Sequence, residues 1–465
     1  MSELVKKLQE RRSLFWLLPV CVFAWLVYTM VMLFPGSPTN DSLGQLLQVQ
    51  TGCIDNWKPA LYAYLLQFGE WLFPGSSLSF AFVVQIIFFA GGFFLVILHL
   101  GRKRRIFYLL SPIVFCMAQK GVSVVEVGND AMAAACYMVF VGSVLNLRDM
   151  ANSCLKWSLF SISLMVLGYG MILRHNAVFA VLVLLCWAFF SLTGSRKKAV
   201  AAALASVVFF FAVNALVLDV FAKVEKSYPL KSPFADDLVN ISILNNTWDE
   251  FCVSRQQEQS MLLGKPAEVC KLCADVCNFY PSGLNPYGRI VSPDERREDY
   301  EQYRKAWLRA VKESPKQYVF LKAYFFQQFL LAGRSLPWVE DIVQTCYPHV
   351  TTTVRGVCRD WTSWVNRLVL FNAVLPFAVY GLLIVSLLVR VWKRIPFTQG
   401  MTDVVCLSLS AVCYTGTFVI FTLSSSEERY YIIPASMALV TLLLFFAERV
   451  VHKFDAKTIQ TNSGV

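Results

Sequence analysis

Apolar residues along this chain gather in long runs separated by short polar stretches. The runs predict about ten helices of roughly 18–22 residues, the length that crosses a hydrocarbon core about 30 Å thick. They lie at 14–34, 78–98, 106–121, 131–147, 157–173, 177–193, 199–219, 368–389, 403–423 and 432–447. The third is short and contains Pro112, which would kink it; neighbouring helices can satisfy the carbonyl so freed. The first is too long for the apolar centre of a signal peptide and runs into Pro35, Gly36 and Ser37, so it reads as a retained helix.

Two polar connections are long. Residues 35–77 read as two amphipathic pieces, 41–50 and 58–73, parted by Gly52 and the turn Trp57-Lys58-Pro59. Residues 220–367 form a mostly helical soluble domain. Within it Tyr300, Tyr303, Trp307 and Val311 recur at helical spacing, and Ser314-Pro315 opens a further helix whose apolar run from Tyr318 to Leu331 lies along the membrane surface. The chain therefore divides into a transmembrane module at 1–219, the soluble domain at 220–367, a second transmembrane module at 368–457 and a polar, disordered tail at 458–465.

Composition agrees with this reading: 56% of the residues are hydrophobic. The net charge of +11 does not indicate nucleic acid, because the basic residues sit in short clusters between apolar runs. Lys6, Lys7, Arg11 and Arg12, then 102–105, Arg148, Lys156, 196–198, Arg390, Lys393, Arg394, Arg449, Lys453 and Lys457 fall on alternate connections. Apart from 220–367, the intervening ones carry only Lys58, Lys120, Arg174 and Arg429. That bias puts both termini in the cytoplasm and the two long connections outside.

The chain has 14 cysteines. Seven lie in or beside spans and act there as small apolar residues. Of those outside, Cys346 and Cys358 form a natural local pair in an oxidising compartment, and Cys252, Cys270, Cys273 and Cys277 could form two more, leaving Cys53 over. The Cys270, Cys273, Cys277 spacing could alternatively hold zinc, although that segment has no histidine close by.

Polar clusters at membrane ends need a partner or a task. Four map to the outer side. Asn40-Asp41-Ser42, followed by Gln45 and then Asp55-Asn56-Trp57-Lys58-Pro59, comes after the first span. Glu126 and Gly128-Asn129-Asp130 open the fourth. Arg174-His175-Asn176 turns between the fifth and sixth, and Ser424 to Tyr431 joins the ninth to the tenth. Each has a plain structural explanation: a helix cap for Asp41 or Asp130, an anchored hairpin for Arg174, a local ion pair for Arg429 with Glu427 or Glu428. Together they set carboxylates and arginines from four connections at one face, which suits a ligand with an anionic head and a greasy tail.

The motifs resemble those of the GT-C glycosyltransferases, which use polyprenyl-phosphate sugars. Asp41 with Gln45 resembles their first-loop aspartate motif, and Trp57-Lys58-Pro59-Ala60-Leu61-Tyr62 resembles their Trp-x-Pro-Pro-Leu-Tyr stretch. Asn129-Asp130 resembles their second acidic motif. Leu173-Arg174-His175-Asn176 and Glu428-Arg429-Tyr430 with Pro434 resemble two further signatures. Asp237-Leu238, and Trp307 with Pro315 and Tyr318, resemble the start and juxtamembrane helix of the soluble insertion. Within the superfamily the chain is most similar to the bacterial, often phage-encoded, serotype-converting glucosyltransferases that decorate O-antigen. Two positions depart from the pattern: Lys58 stands where relatives carry histidine, and Lys322 where arginine is expected.

The resemblance implies an all-α GT-C-like fold in the bacterial inner membrane. It also implies transfer of a sugar, glucose above all, from undecaprenyl phosphate to a hydroxyl of O-antigen or another cell-surface polysaccharide at the periplasmic face, with inversion. Asp41 would be the general base, with Asp130 orienting the acceptor or sharing that duty. Arg429, Arg174, Lys322 and Lys58 would hold the donor phosphate, and Gln45, Asp55, Trp57, Asn129, His175, Asn176, Asp237, Glu428 and Tyr430 would contact substrate. No cofactor or metal is expected, although Asp41, Asp55, Glu126 and Asp130 could converge on a divalent ion. Expected partners are the bilayer, the two substrates, and a donor synthase and flippase. A ligase or polymerase acting on lipid-linked polysaccharide, and a transporter or flippase of lipid-linked sugars, are the alternatives; a transporter would favour charges at the bilayer midplane and repeat symmetry.

Overall fold

A computed structural model describes residues 12–38, 40–55, 59–115, 126–221, 224, 231–245, 297–331, 374–395, 398–421 and 432–462. Among them nearly all structure is helical, and seven helices are long and apolar enough to cross a membrane, so the architecture is all-α and multi-pass. The seven are α1 (Leu14–Leu33), α4 (Ser77–Lys103), α5 (Asn129–Leu147), α6 (Ser153–Ile172), α8 (Arg196–Ala215), α13 (Gln399–Phe421) and α14 (Ile432–Asn462). Three further apolar helices fall where spans were expected but are shorter: Arg105–Phe115, α7 (Val178–Thr193) and the Val379–Trp392 part of α12 (Val374–Trp392).

Helix α5 is the axis of the bundle. Only Val139 and Ser143 along it are partly exposed; every other residue is buried. Its run of Ala131, Ala133, Ala134 and Ala135 keeps the surface low, so neighbouring backbones come close. Helix α4 crosses it at Gly92 and Gly142, where a Cβ on Gly142 would lie 2.6 Å from the Leu95 Cβ. Asn146 fastens the same crossing by donating Nδ2 to the Leu95 and Gly142 carbonyls, each at 2.8 Å. Around this core, α1, α8 and α12 expose apolar side chains such as Trp16, Phe23, Val208, Phe211, Leu382 and Leu388. Surfaces of that kind face lipid.

Between α1 and α4 lie two short helices, α2 (Asn40–Thr51) and α3 (Ala60–Leu72), matching the two amphipathic pieces read from the sequence. The connection is bound to the bundle by two-residue strands: β1 (Ser37–Pro38) pairs in parallel with β2 (Glu126–Val127), Ser37 opposite Glu126 and Pro38 opposite Val127. Gly36 makes the approach possible. Its φ of +88° disfavours a side chain, and a Cβ would fall 2.6 Å from the Phe82 ring. Buried Gln85 of α4 completes the seam by donating Nε2 to the Glu126 carbonyl at 2.7 Å.

Between α8 and α12 the described α-helices are α9 (Lys231–Leu244), α10 (Arg297–Glu313) and α11 (Pro315–Leu331). Phe234 stacks on Trp307 with ring centres 4.7 Å apart, and Leu321 packs with Ile241 against Phe418 of α13.

Candidate functional site

The β1–β2 seam sets the start of α2 beside the start of α5. At that junction Asp41, Glu126, Gly128, Asn129, Asp130, Ala131 and Ile432 line a small cleft. Three chain segments contribute. Asp41 sits half-buried in the first turn of α2; Glu126 belongs to β2, and Asn129 and Asp130 open α5; Ile432 opens α14. Carboxylates in a first helical turn are favoured by the unpaired N–H groups and positive dipole end there. The same preference that explains Asp41 and Asp130 as local features also points both toward the cleft's end of the bundle.

Arg174 joins this group. The chain leaves α6 at Leu173, extends at Arg174 (φ −142°) and turns through His175–Ala177 into α7. That extended residue carries the guanidinium back to the Asp130 carboxylate, and the two form an ion pair with 15% and 8% of their side-chain surfaces exposed. Helix α13 is fixed to the same end of α7 by Ser410, whose hydroxyl donates to the Ala180 carbonyl at 2.9 Å. Chemically, Asp41, Glu126, Asp130 and the Asn129 side-chain carbonyl offer acceptors, and Arg174 supplies the cation. The Asn129 Oδ1 is buried and accepts no hydrogen bond among the described residues. A ligand rich in hydroxyl donors matches such a lining.

Other candidates lie elsewhere. Gln45 is fully buried and donates Nε2 to the Pro59 carbonyl at 3.0 Å, which ties α2 to the start of α3. Asp55 follows α2 and does not line the cleft; Asn176 lies in the turn after Arg174, half-buried, as does the backbone of His175. Asp237 and Lys322, expected to serve substrate and phosphate, meet each other. Lys322 Nζ donates to Asp237 Oδ1 at 2.8 Å and Trp307 Nε1 donates to Oδ2 at 2.9 Å, joining α9, α10 and α11. Burial pushes the Asp237 carboxyl above the ordinary aspartate range, while Lys322 and Trp307 pull it down. Trp57, Lys58, Glu428, Arg429, Tyr430, Cys252, Cys270, Cys273, Cys277, Cys346 and Cys358 lie outside the described residues. Cys53 has a free, exposed thiol.

A second polar cluster had no place in the sequence reading. Asp403, fully buried near the start of α13, pairs with Arg148 at the far end of α5. The signal was present as an acid at the edge of an apolar run, but Arg148 read simply as one of the orienting basic residues.

No family model matches the chain, and no curated protein or solved structure does either.

Proposed function

We propose that the protein is a membrane glycosyltransferase of GT-C type. It transfers a sugar, glucose on the strength of its motifs, from undecaprenyl phosphate to a hydroxyl of O-antigen or a related surface polysaccharide. The cleft is the reaction site and faces the periplasm, with both termini in the cytoplasm. The observation that carries this reading is the meeting of Asp41, Glu126, Asn129 and Asp130 in one cleft with Arg174 at its edge. Ile432 in the same lining also brings the cleft within three residues of Arg429 along the chain.

In this mechanism the acceptor hydroxyl attacks the anomeric carbon from the side opposite the phosphate. Its oxygen forms the new glycosidic bond, and the old carbon–oxygen bond breaks with its electron pair leaving on polyprenyl phosphate. Asp41 takes the hydroxyl proton. Asp130 already answers the charge of Arg174, so it serves better to orient that guanidinium than to act as base. Arg174 and Arg429 stabilise the departing phosphate. The Asn129 carbonyl accepts a hydrogen bond from a sugar hydroxyl.

The test uses purified protein, synthetic polyprenyl-phosphate glucose and O-antigen fragments, with and without EDTA. Glycosylated fragment and released polyprenyl phosphate are the expected products. Asp41→Asn loses transfer by roughly 10²–10⁴-fold, the usual contribution of a general base, with unchanged expression and melting. Near-normal turnover in that variant would remove Asp41 from the mechanism.

A further inference from the structure

The ion pair between Asp403 and Arg148 stands at the opposite end of the bundle from the cleft. Asp403 is 0% exposed and accepts three hydrogen bonds: from Arg148 Nη1 at 2.7 Å, from Trp187 Nε1 at 3.0 Å and from Gln399 Nε2 at 3.3 Å. Arg148 in turn lies with Nη2 3.1 Å from His99 Nε2. Arginine has no acceptor, so that ring nitrogen accepts, and the imidazole is neutral with its proton on Nδ1. Nδ1 faces Asp149 at 3.8 Å. Arg102 reaches Asn146 Oδ1 at 3.3 Å, adding a further link between α4 and α5. Beside the pair, Thr398 at the head of α13 donates its hydroxyl to Glu448 of α14. Four helices of the first module and two of the second therefore share one polar knot if α6 is counted, through Lys156, whose Nζ donates to the Arg148 carbonyl at 3.3 Å.

These helices also carry the cleft. Helix α5 begins with Asn129 and Asp130 and ends beside Arg148; α13 and α14 are tied at the knot, and α14 supplies Ile432 to the cleft. Elsewhere α13 is also held to α7 by the Ser410–Ala180 hydrogen bond; at the knot it is tied to the end of α5 by an ion pair, a contact with a stricter geometry than apolar packing. Attested uses of buried polar contacts include setting register between helices. We propose that the Asp403–Arg148 pair is a positioning device: it sets α13 and α14 in register with α5 and α7, and so fixes the spacing between the Ile432 and Asp130 walls of the cleft. The proposal concerns cleft geometry and holds whatever ligand the cleft takes; only its consequence for transfer rests on the glycosyltransferase reading.

The experiment pairs Ala131→Cys with Ile432→Cys, one on each wall, and measures cross-linking by a short bismaleimide in native membranes, with each single cysteine variant as the background. Arg148→Met with Asp403→Leu removes the pair without leaving a buried charge. The expected result is a folded protein, judged by its melting curve, in which cross-linking falls by about tenfold, as a coupling typical of contacting buried groups would give. Unchanged cross-linking in the folded double variant overturns the proposal. Should that variant fail to fold, Trp187→Phe takes away a single donor to Asp403 and keeps most of the ring's bulk. It should give a smaller loss in the same direction, and no loss overturns the proposal. Glucose transfer, measured alongside, separates the two readings. Lost cross-linking with a parent protein that transfers nothing leaves the positioning device standing and rejects glycosyl transfer. Lost cross-linking with full kcat/KM overturns the claimed consequence for catalysis.

Discussion

Asp130 and Arg174 answer each other's charge at the cleft, so changing either alone leaves a poorly hydrated partner. Asp130→Asn or Arg174→Gln should each destabilise the protein, by up to about 3–5 kcal/mol, the range for breaking a buried pair. The double change should recover most of that loss in thermal melting while transfer stays low, because the guanidinium proposed to meet phosphate is gone. Recovery of transfer along with stability would reduce the pair to scaffolding. Both residues were visible in the sequence as polar groups at span ends. Their pairing was not, because they lie on different connections and no spacing rule links them. Lys322 teaches the same lesson in reverse. The resemblance implied that it holds phosphate; in the structure its ammonium meets Asp237, a partner no spacing rule indicated.

At the scale of elements, the turn between α3 and α4 depends on Glu70. Its carboxylate accepts from the Ser77 hydroxyl and from the Gly75 N–H at 2.8 Å, and these bonds hold its pKa below the ordinary value of 4.5. A depressed folded pKa contributes stability that is present above the unfolded value and lost as pH falls through the folded one. Hydrogen exchange of the Gly75 amide, corrected for its intrinsic pH dependence, should therefore speed up on acidification below about pH 4.5. Glu70→Gln should abolish that pH dependence, and a profile shared by both proteins would contradict the assignment. Element existence was legible from apolar run length, but ends were less so. Helix α4 continues to Lys103, past the expected end at 98, since Arg102 and Lys103 can extend their charged heads beyond the apolar slab. The expected span at 106–121 is described only to Phe115 and begins with a tight turn at Arg105–Leu110.

Across the whole molecule, buried ion pairs join what the chain order keeps apart. Asp237, Lys322 and Trp307 bind α9, α10 and α11 to one another, and the Tyr318 hydroxyl donates to the Ile420 carbonyl at 2.9 Å, fastening this unit to the last turn of α13. Asp237→Asn should loosen the unit and expose α10 to limited proteolysis, whereas Asp237→Leu with Lys322→Met should restore resistance, because no charge is then left buried. Persistent cleavage of the double variant would argue that the pair does more than neutralise itself. The sequence by itself determined that this is a multi-pass helical membrane protein with two amphipathic helices after its first span, and that its polar clusters lie at span ends. Each of these is a local property: the thickness of an apolar slab dictates the length of a run, and a backbone with no water to bond must coil upon itself. Only the tertiary structure decided which polar residues meet. Asp130 finds Arg174, Asp403 finds Arg148 and Lys322 finds Asp237 because helices close around the small-residue surface of α5 in one arrangement and rotation. Hydropathy varies along one dimension and carries no record of that choice.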